Sequence, residues 1–419
     1  MLAHIVDPSA YTPPYDHFLC QALARAGADV ELYTSRFTYG AVPVAQGYAR
    51  HEHFYRLAHA RRARSPGRRG AAASTPIAQT ARSRARIALK LAEHVPDMLR
   101  YRRLARPADI VHFQWLTVQP LDIHLLPRQR AAGARVAPPR PRLVLTAHDI
   151  LPREPRPGQI AGQRRLYGHF DAIVVHSEHG RGRLVAELGV PESRVHVIPH
   201  GALTPWEGQA GAGAGGGSAS ALPAGFGSHA GPVVLFFGLL RPYKGLDVLL
   251  DAWRALGAGE AGAGGEDSRT AELWIVGMER MDTGPLREAA PAGVRFLTRF
   301  ISDAEIGAFL ERASLVVLPY RDIDASGAAF RAIGAGVPLL LSDAGGFPEI
   351  AESGAARTFP AGDSRALAGA LAELLSDGAE LARMARLAES AARERYGWKG
   401  VAESTLGLYR SLLGENDGR

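Results

Sequence analysis

The stretch from Phe236 to Leu250 reads FFGLLRPYKGLDVLL. An apolar run, Val233–Phe237, ends at Gly238. A loop follows with Arg241 and Lys244, and Gly245 opens an amphipathic run over Leu246–Leu256. Strand, short cationic loop and helix in that order form half of a β-α-β unit, with the loop at the carboxyl edge of a parallel sheet. Cations at such a mouth suit a phosphate. Lys244 carries extra weight because lysine is scarce: Lys90, Lys244 and Lys399 are the only three among 49 basic residues.

The same alternation runs outward in both directions. Downstream, strands are expected over Leu273–Val276, Val294–Leu297, Leu315–Leu318 and Pro338–Ser342. Helices are expected over Asp303–Ala313, Ala328–Ala335, Ser364–Leu375 and Leu381–Tyr396. Upstream, strands fall at Leu2–Val6, Val30–Thr34, Ile110–Gln114, Leu143–Thr146, Ala172–His176 and Val195–Ile198, with a helix over Tyr15–Ala26 stopped by Gly27. Between the halves, Gly208–Gly231 reads GQAGAGAGGGSASALPAGFGSHAG, a tract that cannot build a core. Gly257–Gly265 is a second low-complexity insertion, read as a surface loop. The expected class is α/β, with two doubly wound, Rossmann-like domains facing across a cleft and ligands at the carboxyl ends of the strands. The expected boundaries are 1–205, a linker over 206–231, and a second domain over 232–396.

Composition agrees. The chain has 419 residues, 46% hydrophobic and 22% charged, which excludes wholesale disorder. One cysteine, Cys20, excludes an internal disulfide and a Cys-rich zinc site. No apolar stretch approaches the roughly 20 residues of a membrane-spanning helix. The N-terminus, MLAHIVDPSA, has neither a basic n-region nor a long apolar h-region, so a cytoplasmic protein is the expectation. Charge is uneven: Arg50–Arg106 holds 15 basic and 3 acidic residues, while the rest holds 34 basic and 39 acidic. Within it Arg61–Arg86 is rich in Arg, Ser, Pro and Gly, so a mobile basic insertion is expected over about 57–86. Ile87–Arg103 reads as a basic helix interrupted by Pro96. Attraction to an anionic membrane surface is one reading of this segment. A solvated basic face with drift toward arginine is the other.

A second motif spans Tyr320 to Ile350, YRDIDASGAAFRAIGAGVPLLLSDAGGFPEI. A strand ends near Tyr320, an acidic loop carries Asp322 and Asp324, and Ser326-Gly327 precedes a helix. A helix start leaves backbone N–H groups for an anion. Carboxylates beside it would repel phosphate, so Asp322 and Asp324 suit hydroxyl groups better. Gly345-Gly346 lets the backbone approach a ligand closely.

Taken together, these motifs resemble the donor-binding half of the family-4 glycosyltransferases, which have the GT-B fold. Ser326–Pro338 with Gly345-Gly346-Phe347-Pro348-Glu349 is similar to that family's most specific block. In the first half Thr146-Ala147-His148-Asp149, Val174-Val175-His176-Ser177 and Val197-Ile198-Pro199-His200-Gly201 fit as well. The resemblance implies transfer of a sugar from a nucleotide-diphosphate sugar, with retention of configuration and no metal or other cofactor. The acceptor it implies is a glycan or lipid-linked molecule, in cell-surface or exopolysaccharide synthesis of bacterial type. Arg241 and Lys244 would hold the diphosphate, with the amides of Gly327, Ala328 and Ala329. Gly238, Asp322, Asp324, Ser326 and Glu349 would complete the donor site, and the base would lie near Phe300 and Ile301. His148 would face the transferred sugar, with His176 and His200 as weaker candidates in supporting or hinge roles. Tyr15, Asp16 and His17 would stand on the acceptor side. The segment over 397–419 would cross back onto the first domain, and peripheral contact with the inner membrane face is the further expectation.

Three departures from the family pattern stand out. The block often carries two glutamates, and counting back from Pro338 places Ile323 and Arg331 there. Leu239 stands where a basic residue often follows the glycine of the first motif. The loop after the first strand, Pro8–His17, contains no glycine. Hence a catalytically degenerate GT-B binding or scaffold protein is the main alternative. A sugar-nucleotide epimerase shares the fold but not these blocks. A nucleic-acid binder is disfavoured, because the basic segment offers only Phe54, Tyr55 and Tyr101 for stacking.

Overall fold

A computed structural model describes residues 1–63, 76–127, 141–151, 157–204, 222–258 and 271–415, with the side chains of 60–63 and 76–87 left aside. The Gly/Ala tract (205–221), most of the second insertion (259–270) and the middle of the basic insertion (64–75) lie outside the described residues. The chain divides into two compact units. Met1–Val175, Arg183–Ile198 and Ala402–Arg419 form the first; His176–Gly182 and Pro199–Val401 form the second.

The first unit is built on β1 (Leu2–Asp7), α1 (Pro13–Arg25), β2 (Asp29–Ser35), β3 (Ala49–Phe54), α2 (Arg56–Ala63), α3 (Pro76–Leu104), β4 (Ile110–Phe113), α4 (Gln119–Leu125), β5 (Arg142–Thr146), α5 (Gln159–Tyr167), β6 (Ala172–Val175), α6 (Glu178–Leu188) and β7 (Val195–Val197). The strands lie in the order β3-β2-β1-β4-β5-β6-β7, and every pairing is parallel. Strands covered on both faces need unbroken apolar runs, and Ile110, Val111, Phe113 and Ala172–Val175 are almost fully buried. Strand order reverses between β1 and β4, so the loops after β1 and β4 flank a topological switch point.

Two expectations change here. The strand β3, ARHEHF, was not anticipated: it is polar because it is an edge strand, and charge on an edge blunts further pairing. The segment expected to be mobile is helical on both sides of 64–75, over Arg56–Ala63 and Pro76–Leu104. Helix α3 also runs through Pro96 instead of breaking there. A proline removes the N–H that would pair with the carbonyl four residues back. That residue, Ala92, is exposed, so water can take the lost place. On either side of Pro96, α3 is tied down by buried side chains: Glu93 accepts from the amides of Leu57 and Ala58 at 2.7 and 2.8 Å, and Asp97 from that of Tyr55 at 2.7 Å.

The second unit contains β8 (Val233–Phe237), α7 (Leu246–Ala258), β9 (Glu272–Val276), α8 (Gly284–Glu288), β10 (Val294–Leu297), α9 (Asp303–Arg312), β11 (Leu315–Leu318), α10 (Gly327–Gly334), β12 (Leu339–Ser342), α11 (Phe347–Ala351), β13 (Ala356–Phe359), α12 (Ser364–Ser376), α13 (Gly378–Arg393) and α14 (Trp398–Leu413). Its parallel sheet runs β10-β9-β8-β11-β12-β13, with the switch point between β8 and β11. Here α8, α11 and β13 are additions to the sequence expectation. The unit begins earlier than the expected boundary at 205, for a backbone reason. Ala202 N–H donates to the Tyr396 carbonyl at 2.8 Å, and Leu203 N–H to that of Phe330 at 3.1 Å. The Trp398 indole N–H reaches Ala202 O at 2.7 Å, and a Cβ on Gly201 would lie 2.3 Å from that ring. Helix α14 belongs to the second unit up to Val401 and to the first from Ala402. Within the first unit its Tyr409 hydroxyl lies 2.6 Å from His112 Nδ1.

Candidate functional site

In the second unit the loops after β8, β11 and β12 gather the candidate donor residues. Gly238 sits at φ +122°, and its N–H donates to Val276 O at 2.9 Å. Pro242–Lys244 forms a single 3-10 turn that closes on Gly245 at φ +66°. Only glycine fits there, because a Cβ would stand 2.0 Å from the Pro319 carbonyl oxygen. That turn folds Lys244 inward. The residue is 8% exposed, and its ammonium donates to the Tyr320 hydroxyl at 2.9 Å and lies 4.7 Å from the centre of the Tyr320 ring. A desolvated ammonium over a ring face gains about 2 kcal/mol, so the Tyr320 ring helps to hold this charge at the carboxyl edge of the sheet. Arg241, immediately before the turn, is exposed.

The loop after β11 is pinned from two sides. Arg321 forms a two-pronged pair with Asp247 and its amide donates to Tyr243 O at 2.7 Å; the guanidinium holds the Asp247 carboxyl below its ordinary range. The Ile323 carbonyl packs where a Cβ of Gly345 would sit, at 1.7 Å, and the Asp324 carbonyl lies 3.0 Å from the Cβ position of Gly346. This explains the paired glycines: they let the acidic loop lie against the start of α11. Asp324 is buried and Asp322 half-buried. Ser326 caps α10, its hydroxyl accepting from Ala329 N–H at 3.4 Å, which leaves the amides of Gly327 and Ala328 to the helix mouth. Phe300 is exposed and Ile301 half-buried after β10.

Two expected donor positions read differently. Both carboxylate oxygens of Glu349 accept backbone N–H bonds at the start of α6, from Glu178 at 2.9 Å and His179 at 2.8 Å. Its negative charge thus caps a helix mouth, a structural use that needs no sugar. Arg331, in the place of the family's second glutamate, pairs with Asp303 at the first turn of α9. A carboxylate is therefore present beside that place, supplied by a different helix. His200 likewise has a structural setting: it is buried, stacked 4.5 Å from Phe330, and burial holds its pKa well below the ordinary value. His176 meets it edge-on at 5.0 Å.

In the first unit His148 lies at the carboxyl end of β5, 8% exposed. Its Nε2 donates to Gln114 Oε1 at 3.1 Å. Trp115 stacks on its ring at 5.0 Å, and Tyr15 meets it edge-on at 4.9 Å. The glycine-free loop after β1 is organised by Asp7 instead. That buried carboxylate accepts the N–H groups of Ser9, Tyr11 and Thr12 at 3.2, 2.6 and 3.2 Å, and Ala10 takes φ +50°. Of the acceptor-side candidates, only Tyr15 joins His148. Asp16 turns to Asp7: burial and the neighbouring charge raise its pKa well above the ordinary value. His17 Nδ1 lies 2.9 Å from the Tyr48 hydroxyl, and burial lowers its pKa to about 4. Gln114, Trp115 and Tyr11 were missed. The one available signal was polar and aromatic residues directly after a strand end.

Two parallel sheets, each with a switch point carrying such loops, define a GT-B class of α/β protein. Comparison with known proteins agrees. Residues 231–377 match the profile described as glycosyl transferases group 1, and residues 15–201 match that of the glycosyl transferase 4-like domain. The chain belongs to the family-4 glycosyltransferases. It is 28% identical over 269 residues to a D-inositol 3-phosphate glycosyltransferase of Nocardia farcinica, covering 61% of this chain and 56% of that relative's length. Sucrose-phosphate synthase of Thermosynechococcus elongatus has the same fold, with TM-score 0.65, 17% identity and coverage of 99% and 100% of the two chains. So does Anabaena HepE in complex with UDP, at TM-score 0.62, 16% identity and coverage of 98% and 100%. Among the described residues no helix is long and apolar enough to cross a membrane, and no group of His, Cys, Asp and Glu could hold a metal.

Proposed function

We propose that this chain is a retaining glycosyltransferase that moves a sugar from a nucleotide-diphosphate sugar to a glycan or lipid-linked acceptor in cell-surface or exopolysaccharide synthesis. The observation that carries the reading is Lys244, buried at the carboxyl edge of the second sheet beside its switch point, with its ammonium on Tyr320. Negative charge grows on the leaving diphosphate as the glycosidic bond breaks. Fixed cations and amide dipoles, here Arg241, Lys244 and the start of α10, stabilise that charge as a metal would elsewhere. Asp322 and Asp324 accept sugar hydroxyls, and Phe300 and Ile301 border the base. His148 acts on the transferred sugar, and the acceptor binds at the switch point of the first sheet. The UDP complex of HepE supports a nucleotide donor for this fold.

The test is thermal unfolding of the whole chain with UDP, GDP, ADP and their common sugar forms. A ligand at about 100 times its dissociation constant adds roughly 2.7 kcal/mol. One nucleotide should raise the transition and the others should not. No shift with any of them would favour the degenerate scaffold.

The basic segment supports peripheral attachment to an anionic membrane as part of this reading. Helix α3 exposes Leu91, Leu99 and Leu104 alongside Arg100 and Arg103. A basic helix with exposed apolar residues suits the headgroup boundary.

A further inference from the structure

The loops after β1 and β4 build an aromatic corner around His148. The Trp115 ring stacks on His148, within 15° of parallel, and its indole N–H donates to Thr12 Oγ1 at 3.1 Å. Tyr11 meets Trp115 edge-on at 5.3 Å and remains 59% exposed. Trp115 itself is half-buried. The Ser9 and Thr117 hydroxyls, 2.9 Å apart, join the two loops just behind it. Both rings are thus held by contacts and still keep exposed surface.

A second observation points to a ligand. Gln114 is fully buried, its Oε1 is taken by His148, and its Nε2 has no hydrogen-bond partner among the described residues. A buried amide donor without a partner costs about 1–3 kcal/mol. An incoming oxygen would recover it.

The charge of the same loops is decisive about what that oxygen belongs to. Pro8–Thr12, Gln114–Val118 and Ala147–Leu151 contain no Lys or Arg, and the third carries Asp149. Arg50 of β3 borders Ala10, but it pairs with Glu52 at 3.5 Å and faces Asp16 and His17. A bound phosphate requires a cation or several converging N–H groups. Here three converging N–H groups are already spent on Asp7. Aromatic faces with a neutral amide donor suit a ring that presents C–H bonds on one side and hydroxyls at its edge.

We propose that this corner binds an uncharged sugar ring of the acceptor, stacked on Trp115 and Tyr11 with a hydroxyl on the Gln114 amide, and rejects a phosphorylated polyol. The inference rests on the glycosyltransferase reading above and adds the acceptor's class. It also sets this chain apart from the relative named for D-inositol 3-phosphate.

The test is ligand-observed saturation-transfer NMR on the full chain. The probes are methyl α-D-mannopyranoside, methyl α-D-glucopyranoside and D-inositol 3-phosphate, each at millimolar concentration. At least one neutral glycoside should receive saturation, and the inositol phosphate should bind at least tenfold more weakly. Trp115→Ala and the surface variant Tyr11→Ala should each weaken glycoside binding about tenfold or more, while Trp115→Phe keeps part of it. Nucleotide-induced thermal shifts in the variants report that the chain is folded. Preference for inositol phosphate, no saturation of either glycoside, or unchanged glycoside binding in both Ala variants overturns the proposal. A wild-type chain with no nucleotide shift refutes the transferase reading instead, so the two failures are separable.

Discussion

Lys244 and Glu349 show how far single residues could be read. Lys244 was legible because its loop grammar is local: a strand, a turn closed by Gly245 and a helix fix where its side chain goes within ten residues. Glu349 was not, since the amides it caps belong to residues about 170 positions earlier in the chain. The same distance hid the aromatic corner, where Trp115 and Thr12 are 103 positions apart. A prediction belongs to Lys244. Replacing it by Ala should lower turnover by about 10²–10³, the effect of losing one preorganised charge-stabilising group. Tyr320→Phe removes only the hydroxyl partner and keeps the ring under the ammonium, so its loss should be several-fold at most. Steady-state kinetics with the matching nucleotide sugar checks both. Equal losses in the two variants would shift the role from Lys244 to the Tyr320 hydroxyl.

At the scale of elements, the apolar strands were legible from short runs, and the loops at their carboxyl ends followed. What escaped were elements whose cause is not periodicity. β3 is an edge strand held by its neighbour β2, so its sequence needs no alternation. α3 continues through Pro96 because tertiary bonds on either side outweigh one missing amide. That continuity bears on the membrane. An unbroken α3 places Leu99 and Leu104 on its surface near Arg100 and Arg103, rather than on a separate short helix. Leu99→Glu adds a charge to an exposed site, so folding should be untouched. It should reduce cosedimentation with phosphatidylserine-containing vesicles at low salt about as much as Arg100→Glu does. Cosedimentation equal to wild type in both variants would leave α3 as an ordinary sheet-covering helix with a solvated face.

For the molecule as a whole, composition bounded the class but not the response to acid. That response is set by histidines buried in a neutral state. Burial is the first cause of the lowered pKa of His4, His17, His53, His196 and His200, and His17 falls to about 4. In the unfolded chain these groups take up a proton near pH 6.5. Between that pH and about 4 the unfolded chain therefore binds more protons than the folded one, and stability falls as pH falls. Asp16 acts in the opposite direction. Burial raises the pKa of both Asp16 and its partner Asp7, so their contribution is largest below about pH 4 and is lost as pH rises through the folded values. Five histidines, joined on the same side by the lowered carboxyls of Asp247 and Glu305, against the raised Asp7–Asp16 pair leave a net loss toward acid. The unfolding temperature should drop steadily from pH 7 to pH 4.5. His17→Gln should flatten that slope by up to one proton's worth, at the cost of the contact with Tyr48. Urea midpoints measured across the same pH range provide the check. A wild-type midpoint that is flat or rises toward pH 4.5 would mean that the Asp7–Asp16 pair, rather than the histidines, governs acid stability.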